Sequence, residues 1–478
     1  MPHRQIKFGN VYANLDDSQP PEGIAAECID GYVDEIENHV KRDGLTLLAT
    51  ASGSAAIDGI YETKSVSPGT VLVATNTSIY KMASNGSFTS LSGNYDNAGT
   101  QLIWAEDYDY VYATSGGKPH RIDLSANSVA DVGGNSPTSC THIVWLQNFL
   151  MTNGLDSGGA GNKGDIHFSD DIADKYGLTD SWEVFNNETH PDDCEALLGD
   201  WEEVFAVGSN SIEARYNDGS TPFGRLEGTY VSWGTPAPYS ALLINGELYF
   251  LMERQGSGKV GRIRKRVPEP ISWPYDSLVR GLSSHTDARA FSIVMKGRPF
   301  YVITWPTANV TLAYNIEQNN WTRWGHWNGS THDRWLGNCY CYSRNHNKHY
   351  VGDRRGTGKI FTIGGTQDES GTIRMELRSG FIGGQAGSRS SAAIHSDSMK
   401  FNNYIRTKTT GASFTLQYRN DGTGSFGNSR TVANPSGTFF TRTNRWGSYR
   451  QRQWEILHTN NEAFVLSEFS EDYREGVR

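Results

Sequence analysis

The sequence has no long apolar run, few prolines and few cysteines. It contains 16 Pro and 5 Cys among 478 residues, and no apolar stretch approaches the roughly 20 residues that cross a bilayer. We therefore expect no membrane-spanning segment. The first ten residues, MPHRQIKFGN, lack an apolar region, so we also expect no signal peptide.

The cysteines predict neither a disulfide framework nor a zinc ribbon, because their number is odd and no C-x-x-C spacing occurs. Cys339, Cys341, His346 and His349 nevertheless bring sulfur and imidazole groups into one predicted hairpin. If its turn lies near residues 345–346, Cys341 pairs with Tyr350, and the side chains of Cys341 and His349 point to opposite faces. We therefore expect no metal site there.

Motifs for catalysis and cofactor binding are also missing. There is no G-x-S-x-G, H-E-x-x-H or P-loop. Residues 256–261 match G-x-G-x-x-G, but Pro268 and Pro270 follow where a nucleotide site needs a helix. The acidic doublets at 192–193 and 202–203 place neighbouring carboxylates on opposite faces of a strand. We expect no catalytic residues, no cofactor and no enzymatic activity.

The charge balance is acidic. Lys and Arg number 43 against 53 Asp and Glu, a net charge of −10, which argues against tight binding to DNA phosphates. The exception is a basic run. Strand alternation predicts that Arg262, Arg264 and Arg266 share one face, and with Lys265 they are candidates for a surface that faces DNA or a neighbouring subunit. The alternative is a solvated strand.

What the chain has in abundance is glycine, at 52 residues, and aromatic residues, at 12%. Residues 288–324 show how they are arranged. Two apolar strands at 291–295 and 300–305 flank a Lys-Gly turn, a half-exposed third strand follows at 312–316, and an Asn-Asn turn leads to a fourth at 321–324. Such a four-stranded antiparallel unit is typical of one β-propeller blade.

Similar units recur along the chain. Turn signals such as Asn85-Gly86 and Asn245-Gly246 separate paired strands, and seven units can be counted between residues 51 and 365. We predict an all-β protein with a β-propeller of about seven blades, followed at 366–478 by a C-terminal antiparallel β-sandwich. Residues 1–50 are predicted to form an N-terminal arm, in which 46–49 adds a strand to a sheet edge.

The order of several short motifs resembles a known family. The arm contains IDGYVDE at 29–35 and KRDGL at 41–45, with Asp43 where the family pattern often has Pro. Residues 142–216 combine HFSD, SWEVF, ETHPDD and a strand pair that includes Phe205, Gly208, Ser209, Ser211, Ile212 and Glu213. The stretches at 226–251 and 452–470 continue the likeness. The chain resembles the tail nozzle, or hub, proteins of short-tailed phages, the family named for stabilising packaged DNA.

The resemblance implies a structural virion protein of the phage tail, made in the host cytoplasm and without catalytic activity. It implies a homo-hexameric ring below the portal–adaptor ring, with double-stranded DNA in the axial channel and no sequence-specific contacts. Tail fibre, needle or plug proteins are the implied partners at the other end. The alternative is a carbohydrate-binding or depolymerising propeller, for which acids and arginines should converge in the central funnel near exposed tryptophans.

Overall fold

The computed structural model describes residues 3–6, 11, 13, 25–35, 37–53, 55–93, 95, 101–133, 136–155, 162–169, 182–186, 192–217, 223–253, 258–383, 394–404, 413–420, 425–433 and 440–475. Parts of four motifs named above, at 170, 181, 188–191 and 256–257, lie outside these residues. Within the described ranges, no helix is long and apolar enough to cross a membrane.

Five short strands form the described part of the arm: β1 (His3–Gln5), β2 (Ala25–Ile29), β3 (Gly31–Val33), β4 (His39–Lys41) and β5 (Leu45–Thr50). Only β3 pairs solely with its neighbour in sequence, β4. β1 and β4 pair with the last strand of the chain, β2 pairs with strands of the propeller and of the C-terminal region, and β5 pairs with the last blade. The arm is therefore distributed over the fold.

Seven antiparallel blades form the β-propeller that the sequence predicts. Within a blade the strands lie side by side in chain order, except that β10 pairs in parallel with β14 at the outer edge of blade 2. The inner strands of neighbouring blades contact one another around a common axis, as β11 contacts β15 and β15 contacts β19. The first three blades contain β6 (Gly59–Glu62), β7 (Val71–Ala74), β8 (Ile79–Met82) and β9 (Phe88–Ser90); β10 (Ser92–Gly93), β11 (Ile103–Glu106), β12 (Val111–Thr114), β13 (His120–Asp123) and β14 (Ser128–Asp131); and β15 (Ile143–Leu146), β16 (Phe149–Asn153), β17 (Asp165–Ser169) and β18 (Trp182–Asn186).

The remaining blades repeat this pattern. Short helices at Pro238–Ser240, Trp273–Tyr275 and Asp276–Arg280 lie before blades 5 and 6. Blades 4 to 7 contain β19 (Cys194–Asp200), β20 (Glu203–Gly208), β21 (Ile212–Tyr216) and β22 (Gly224–Arg225); β23 (Leu242–Ile244), β24 (Glu247–Met252), β25 (Lys259–Arg264) and β26 (Val267–Pro270); β27 (Arg289–Met295), β28 (Arg298–Trp305), β29 (Val310–Asn315), β30 (Asn320–Trp327) and β31 (His332–Arg334); and β32 (Gly337–Ser343), β33 (Lys348–Asp353) and β34 (Lys359–Ile363). Two short strands, β35 (Gln367–Asp368) and β36 (Gly371–Thr372), follow blade 7 and pair with each other.

Blade 6 corrects one expectation about burial. The predicted two-sided burial of residues 300–305 is confirmed, but β29, predicted to be half-exposed, is buried at every position. The reason is its place inside the blade. Leu312 and Tyr314 pack into the core on one face, while Ala313 packs with Trp324 on the other. Polar residues such as Thr311 are accommodated by hydrogen bonds, here to Thr304.

The propeller closes through the arm. Blade 7 takes only three strands from its own region, and β5 from the arm pairs antiparallel with β34 as its fourth strand, with Leu45 opposite Ile363. The predicted addition of residues 46–49 to a sheet edge is confirmed. Such closure joins the start of the chain to the last blade, so the ring of blades is held by strand hydrogen bonds as well as by packing between blades.

A substitution in β5 tests how much this closure contributes. Leu45 is fully buried between blades 6 and 7, whereas Leu47 in the same strand is 43% exposed. Leu45→Ala should lower the free energy of unfolding by about 2–5 kcal/mol, and the matched control Leu47→Ala by about 0.5 kcal/mol or less. Urea unfolding followed by circular dichroism measures both. Equal effects would mean that β5 is not part of the cooperative core.

The C-terminal region is a sandwich of two sheets, as predicted. Its strands are β37 (Met375–Ser379), β38 (Ile382–Gly383), β39 (Ile394–Tyr404), β40 (Ser413–Asn420), β41 (Gly427–Ala433), β42 (Phe440–Tyr449), β43 (Gln451–His458) and β44 (Val465–Glu475). One sheet has the order β37-β43-β40-β41 and the other β3-β4-β44-β39-β42. Between them, the ring of Trp454 lies 5.2 Å from that of Trp446 and 5.8 Å from that of Phe469.

Blade 6 and the sandwich share one continuous sheet. β2 pairs in parallel with the outer strand β30, at Ile29 and Arg323, and antiparallel with β37, where Cys28 lies opposite Leu377. The sheet thus runs from β27 through β30, β2 and β37 to β41. The boundaries at residues 50 and 365 stay predictions, but the described arm strands belong physically to both neighbouring units.

Candidate functional site

The predicted basic run lies at one edge of blade 5 and is largely neutralised. Arg262 is buried and pairs with Glu269 at 2.8 Å and Glu247 at 3.6 Å. Arg264 pairs with Glu247 at 2.9 Å, and Arg266 pairs with Glu203 of blade 4 at 2.8 Å. Three of the four cations therefore already face carboxylates, which weakens any attraction to DNA phosphates. A role facing DNA or a subunit stays a prediction.

The prediction that Arg266 shares one strand face with Arg262 and Arg264 is wrong. β25 ends at Arg264, so strand alternation does not reach Arg266. Lys265 and Arg266 instead form the turn to β26, with positive φ angles of 48° and 66°. In a tight hairpin, two consecutive left-handed residues match the twist of the flanking strands. The sequence signal was obscured because neither residue is the Gly or Asn usual at such positions.

The cysteine and histidine hairpin has the predicted register. Cys341 lies opposite Tyr350, and Tyr342 opposite His349. The imidazole of His349 lies within hydrogen-bonding distance of the Tyr340 hydroxyl, at 2.7 Å. Among the described residues, no three His, Cys, Asp or Glu side chains are grouped to hold a metal ion.

Polar side chains from several blades converge at the propeller axis, where the first strands begin. Asn338 of blade 7 donates to the Asp58 carboxylate at 3.4 Å and accepts from Arg289 of blade 6 at 3.2 Å. Gln101, just before blade 2, donates across the axis to the carbonyl of Ala290 in blade 6 at 2.9 Å. Sequence reasoning missed this cluster, because its members are separate in sequence and follow no motif.

Three more residues lie near the axis, at the starts of blades 3, 4 and 5. The ring of His142 stacks on that of Tyr239 at 5.9 Å, and His142 is completely buried. Glu195 lies one residue into the first strand of blade 4. The predicted signature of a carbohydrate-active funnel, acids together with an arginine, is therefore present in part.

Burial changes how these axial groups titrate. It raises the pKa of Asp58 to about 6, although Arg289 and Asn338 favour the charged form. It raises the pKa of Glu195 to about 7, and the carboxylate of Asp193 adds to the rise. It lowers the pKa of His142 to about 3. Perturbed acids of this kind are common in catalytic sites, so access to the cluster decides its role.

Access is closed beside Asp58, although Glu195 is only partly buried. Asp58, Gln101, His142 and Asn338 are each at most 7% exposed, and side chains from non-adjacent blades meet each other. A glycosidase needs an open space beside its acid for the sugar and for water. We interpret the axial cluster as a polar plug that holds the inner strands together. Duplex DNA cannot pass through an axis that single side chains span.

The most strongly built charge cluster lies where arm, propeller and sandwich meet. The guanidinium of Arg42 donates to Asp30 at 2.7 Å, to Asp368 beyond blade 7 at 2.5 and 2.8 Å, and to the carbonyl of Gly325 in blade 6 at 2.7 Å. Arg42 and Asp30 are inaccessible to solvent. Burial opposes the charge on Arg42, but the two carboxylates outweigh burial and raise its pKa.

The cluster continues into the sandwich. His332 of blade 6 lies 3.6 Å from Asp30 and 3.2 Å from Glu376 of β37. Arg378 joins Glu376 to Glu27 of β2, at 3.3 and 2.9 Å. Although burial works against it, the bond from His332 and the nearby arginines lower the pKa of Glu376. Oppositely charged groups on the arm, the propeller and the sandwich thus hold one another in place.

Comparison with known proteins decides the family. A family model described as bacteriophage P22 Gp10, beta-propeller, matches residues 66–361, more than half of the chain. The chain belongs to this phage family. The matched range covers most of blades 1 to 7, so this phage structural protein has the β-propeller expected from the resemblance. No curated protein sequence matches the chain.

Solved structures with similar folds are distant from this phage protein. The extracellular domain of a hybrid two-component system from B. thetaiotaomicron aligns with a TM-score of 0.45 and 10% identity, over 84% of this chain and 47% of that one. Virginiamycin B lyase from Staphylococcus aureus aligns with a TM-score of 0.43 and 14% identity, over 67% of this chain and 98% of that one. The phage chain spans about half the length of the first.

Proposed function

We propose that this phage protein is a tail nozzle, or hub, that forms a ring below the portal–adaptor, retains packaged DNA and conducts it during ejection. Membership of the phage family supports a virion component. The tail location, the ring and the DNA passage go beyond that membership. The proposal includes no enzymatic activity, since Asp58 at the axis is enclosed and three of the four cations of the basic run are paired.

The observation that carries the proposal is the closed axis of a propeller from a phage family. Gln101 and Ala290 bond across that axis, from blades 2 and 6, so DNA has no path through one chain. A passage for DNA must then lie between several copies arranged in a ring. A homo-hexamer around a central channel, the arrangement implied by the resemblance, provides such a path.

The rigid connection of propeller and sandwich fits this role. β2 joins both through one continuous sheet, and the Arg42 cluster fills the junction. A subunit built in this way keeps the angle between its two parts when neighbours press on it. The net charge of −10 favours passage over adhesion, because an acidic wall does not bind phosphates.

Electron cryo-microscopy of virion tails tests the proposal. We expect a six-fold ring of this chain below the portal–adaptor, with needle, plug or fibre proteins at its distal end and DNA density in the shared channel. Addition of the purified protein to isolated portal–adaptor complexes should reproduce the ring, whereas the protein alone should assemble weakly. A chain that stays monomeric on these complexes and is absent from the tail would refute the proposal.

A further inference from the structure

A cleft of about 500 Å³ opens between blades 4 and 5, on the face that carries the turn from β19 to β20. Its floor is apolar and includes Phe205, Leu248 and Ile263. Its rim is formed by Trp201 and Glu202 of blade 4 and by the turn at Lys265 and Arg266 of blade 5. Volume and lining fall in the range of small-molecule sites.

Trp201 is the most conspicuous residue of this cleft. Its side chain is 90% exposed, more than any other large hydrophobic residue described, and its backbone has a φ of 49°. A left-handed conformation costs a bulky L-residue roughly 1–2 kcal/mol. An exposed indole ring also lacks the favourable free energy that burial of its apolar surface would give. Stability therefore gives no reason for Trp at this turn, where Asn or Gly would be relaxed.

The polar groups around Trp201 include both hydrogen-bond acceptors and hydrogen-bond donors. Among the described residues, the side chains of Asp200, Glu202 and Lys265 have no hydrogen-bond or ion-pair partner. Arg266 pairs with Glu203 across the cleft, which joins the two blades. The rim therefore offers free acceptors and a free donor beside an aromatic face.

We propose that this cleft binds a neutral hexose unit of a polysaccharide. A pyranose ring has an apolar face of C–H groups that stacks on an indole, and hydroxyl groups that both donate and accept hydrogen bonds. Trp201 supplies the stacking face, Asp200 and Glu202 accept, and Lys265 donates. A phosphate group would instead be repelled by the carboxylates, and an apolar peptide would leave the three charged groups without partners.

A second cleft on the same face shows the contrast. It lies between blades 7 and 1, measures about 600 Å³ and contains Glu62 and Tyr342. There the Glu62 carboxylate already accepts bonds from the Ser343 hydroxyl and from the backbone N–H groups of Arg344 and Asn345. Its acid is used within the fold, so the free acceptors that a sugar needs are found at the Trp201 cleft.

The test is saturation-transfer NMR on the intact chain with three probes: maltohexaose, cellohexaose and N-acetylchitohexaose. We expect at least one to bind with a dissociation constant near the millimolar range. Trp201→Ala should weaken that binding by at least roughly tenfold, and Asp200→Asn combined with Glu202→Gln should also weaken it. The matched control is Tyr108→Ala, which removes a 76% exposed aromatic side chain from a turn of blade 2 and should leave binding unchanged.

Three results would overturn the inference: no binding of any probe up to about 10 mM, binding that Trp201→Ala leaves intact in a variant with a native circular dichroism spectrum, or an assembled ring in which Trp201 is covered by a protein neighbour. Sugar binding is measured on the free chain and ring formation on portal–adaptor complexes. The inference and the proposed function can therefore fail separately.

Discussion

Arg42→Met is expected to lower the free energy of unfolding by about 3–5 kcal/mol. The substitution keeps much of the side-chain volume but removes the cation between two buried carboxylates. Asp30 and Asp368 would then lie close together without the guanidinium between them, at 0% and 1% side-chain exposure, while His332 would remain 3.6 Å from Asp30. Burial already raises the pKa of Asp30, and Arg42 is the strongest influence against that rise. The variant loses this compensation together with the bond to Gly325.

The loss of stability in Arg42→Met should come from the two buried carboxylates left without the cation rather than from the missing side chain. Adding Asp30→Asn and Asp368→Asn to Arg42→Met removes those charges and should recover part of the stability. Arg264→Met is the control on the surface, since its side chain is 59% exposed and its ion pair contributes about 0.5 kcal/mol or less. Urea midpoints and slopes give all three values. If Arg42→Met costs no more than Arg264→Met, the junction does not stabilise the fold as described.

The blades were predictable from sequence because each is local. A blade consists of adjacent strands separated by turns such as Asn85-Gly86 and Asn245-Gly246, whose positive φ angles the glycines adopt readily. Alternation and apolar runs then identify the strands. The half-exposed third strand of blade 6 was the exception, because burial of Leu312 and Tyr314 depends on neighbouring blades that the local pattern does not show.

The junction was not predictable, because its contacts are distant in sequence. Arg42 was seen as part of a KRDGL turn, while its partner Asp368 lies 326 positions later. The arm strands are three to six residues long, too short for periodicity to show which sheet they join. The Trp201 cleft was missed for a related reason. The strand pair β20–β21 was recognised, but β19 was not, so the turn that carries Trp201 was not identified. The proximity of Trp201 to Lys265 comes from the packing of blades 4 and 5.

The second large effect is a dependence of stability on pH that comes from His142 at the propeller axis. Burial lowers the pKa of His142 to about 3, whereas an unfolded histidine titrates near 6.5. The unfolded chain therefore takes up a proton first as the pH falls, and His142 contributes stability that is complete above pH 6.5 and is lost towards pH 3. The loss amounts to about 1.4 kcal/mol per pH unit, or about 3 kcal/mol between pH 6.5 and pH 4.

The wild-type curve alone does not isolate this effect. Asp58 and Glu195 have raised pKa values, so their contributions become more favourable as the pH falls from about 7 to 4 and oppose that of His142. Both acids remain in His142→Gln, and their contributions cancel when the variant is compared with the wild type at each pH.

The measurement is urea unfolding at pH 7, 6, 5 and 4. Relative to the wild type, His142→Gln should gain about 1.4 kcal/mol per pH unit as the pH falls below 6.5, whatever its stability at neutral pH. His349→Gln is the matched control. That ring is only partly buried, so its pKa is lowered less and its slope should change less. Parallel curves for wild type and His142→Gln would show that the axial imidazole takes up a proton in the folded protein, and hence that the axis admits water and is not plugged.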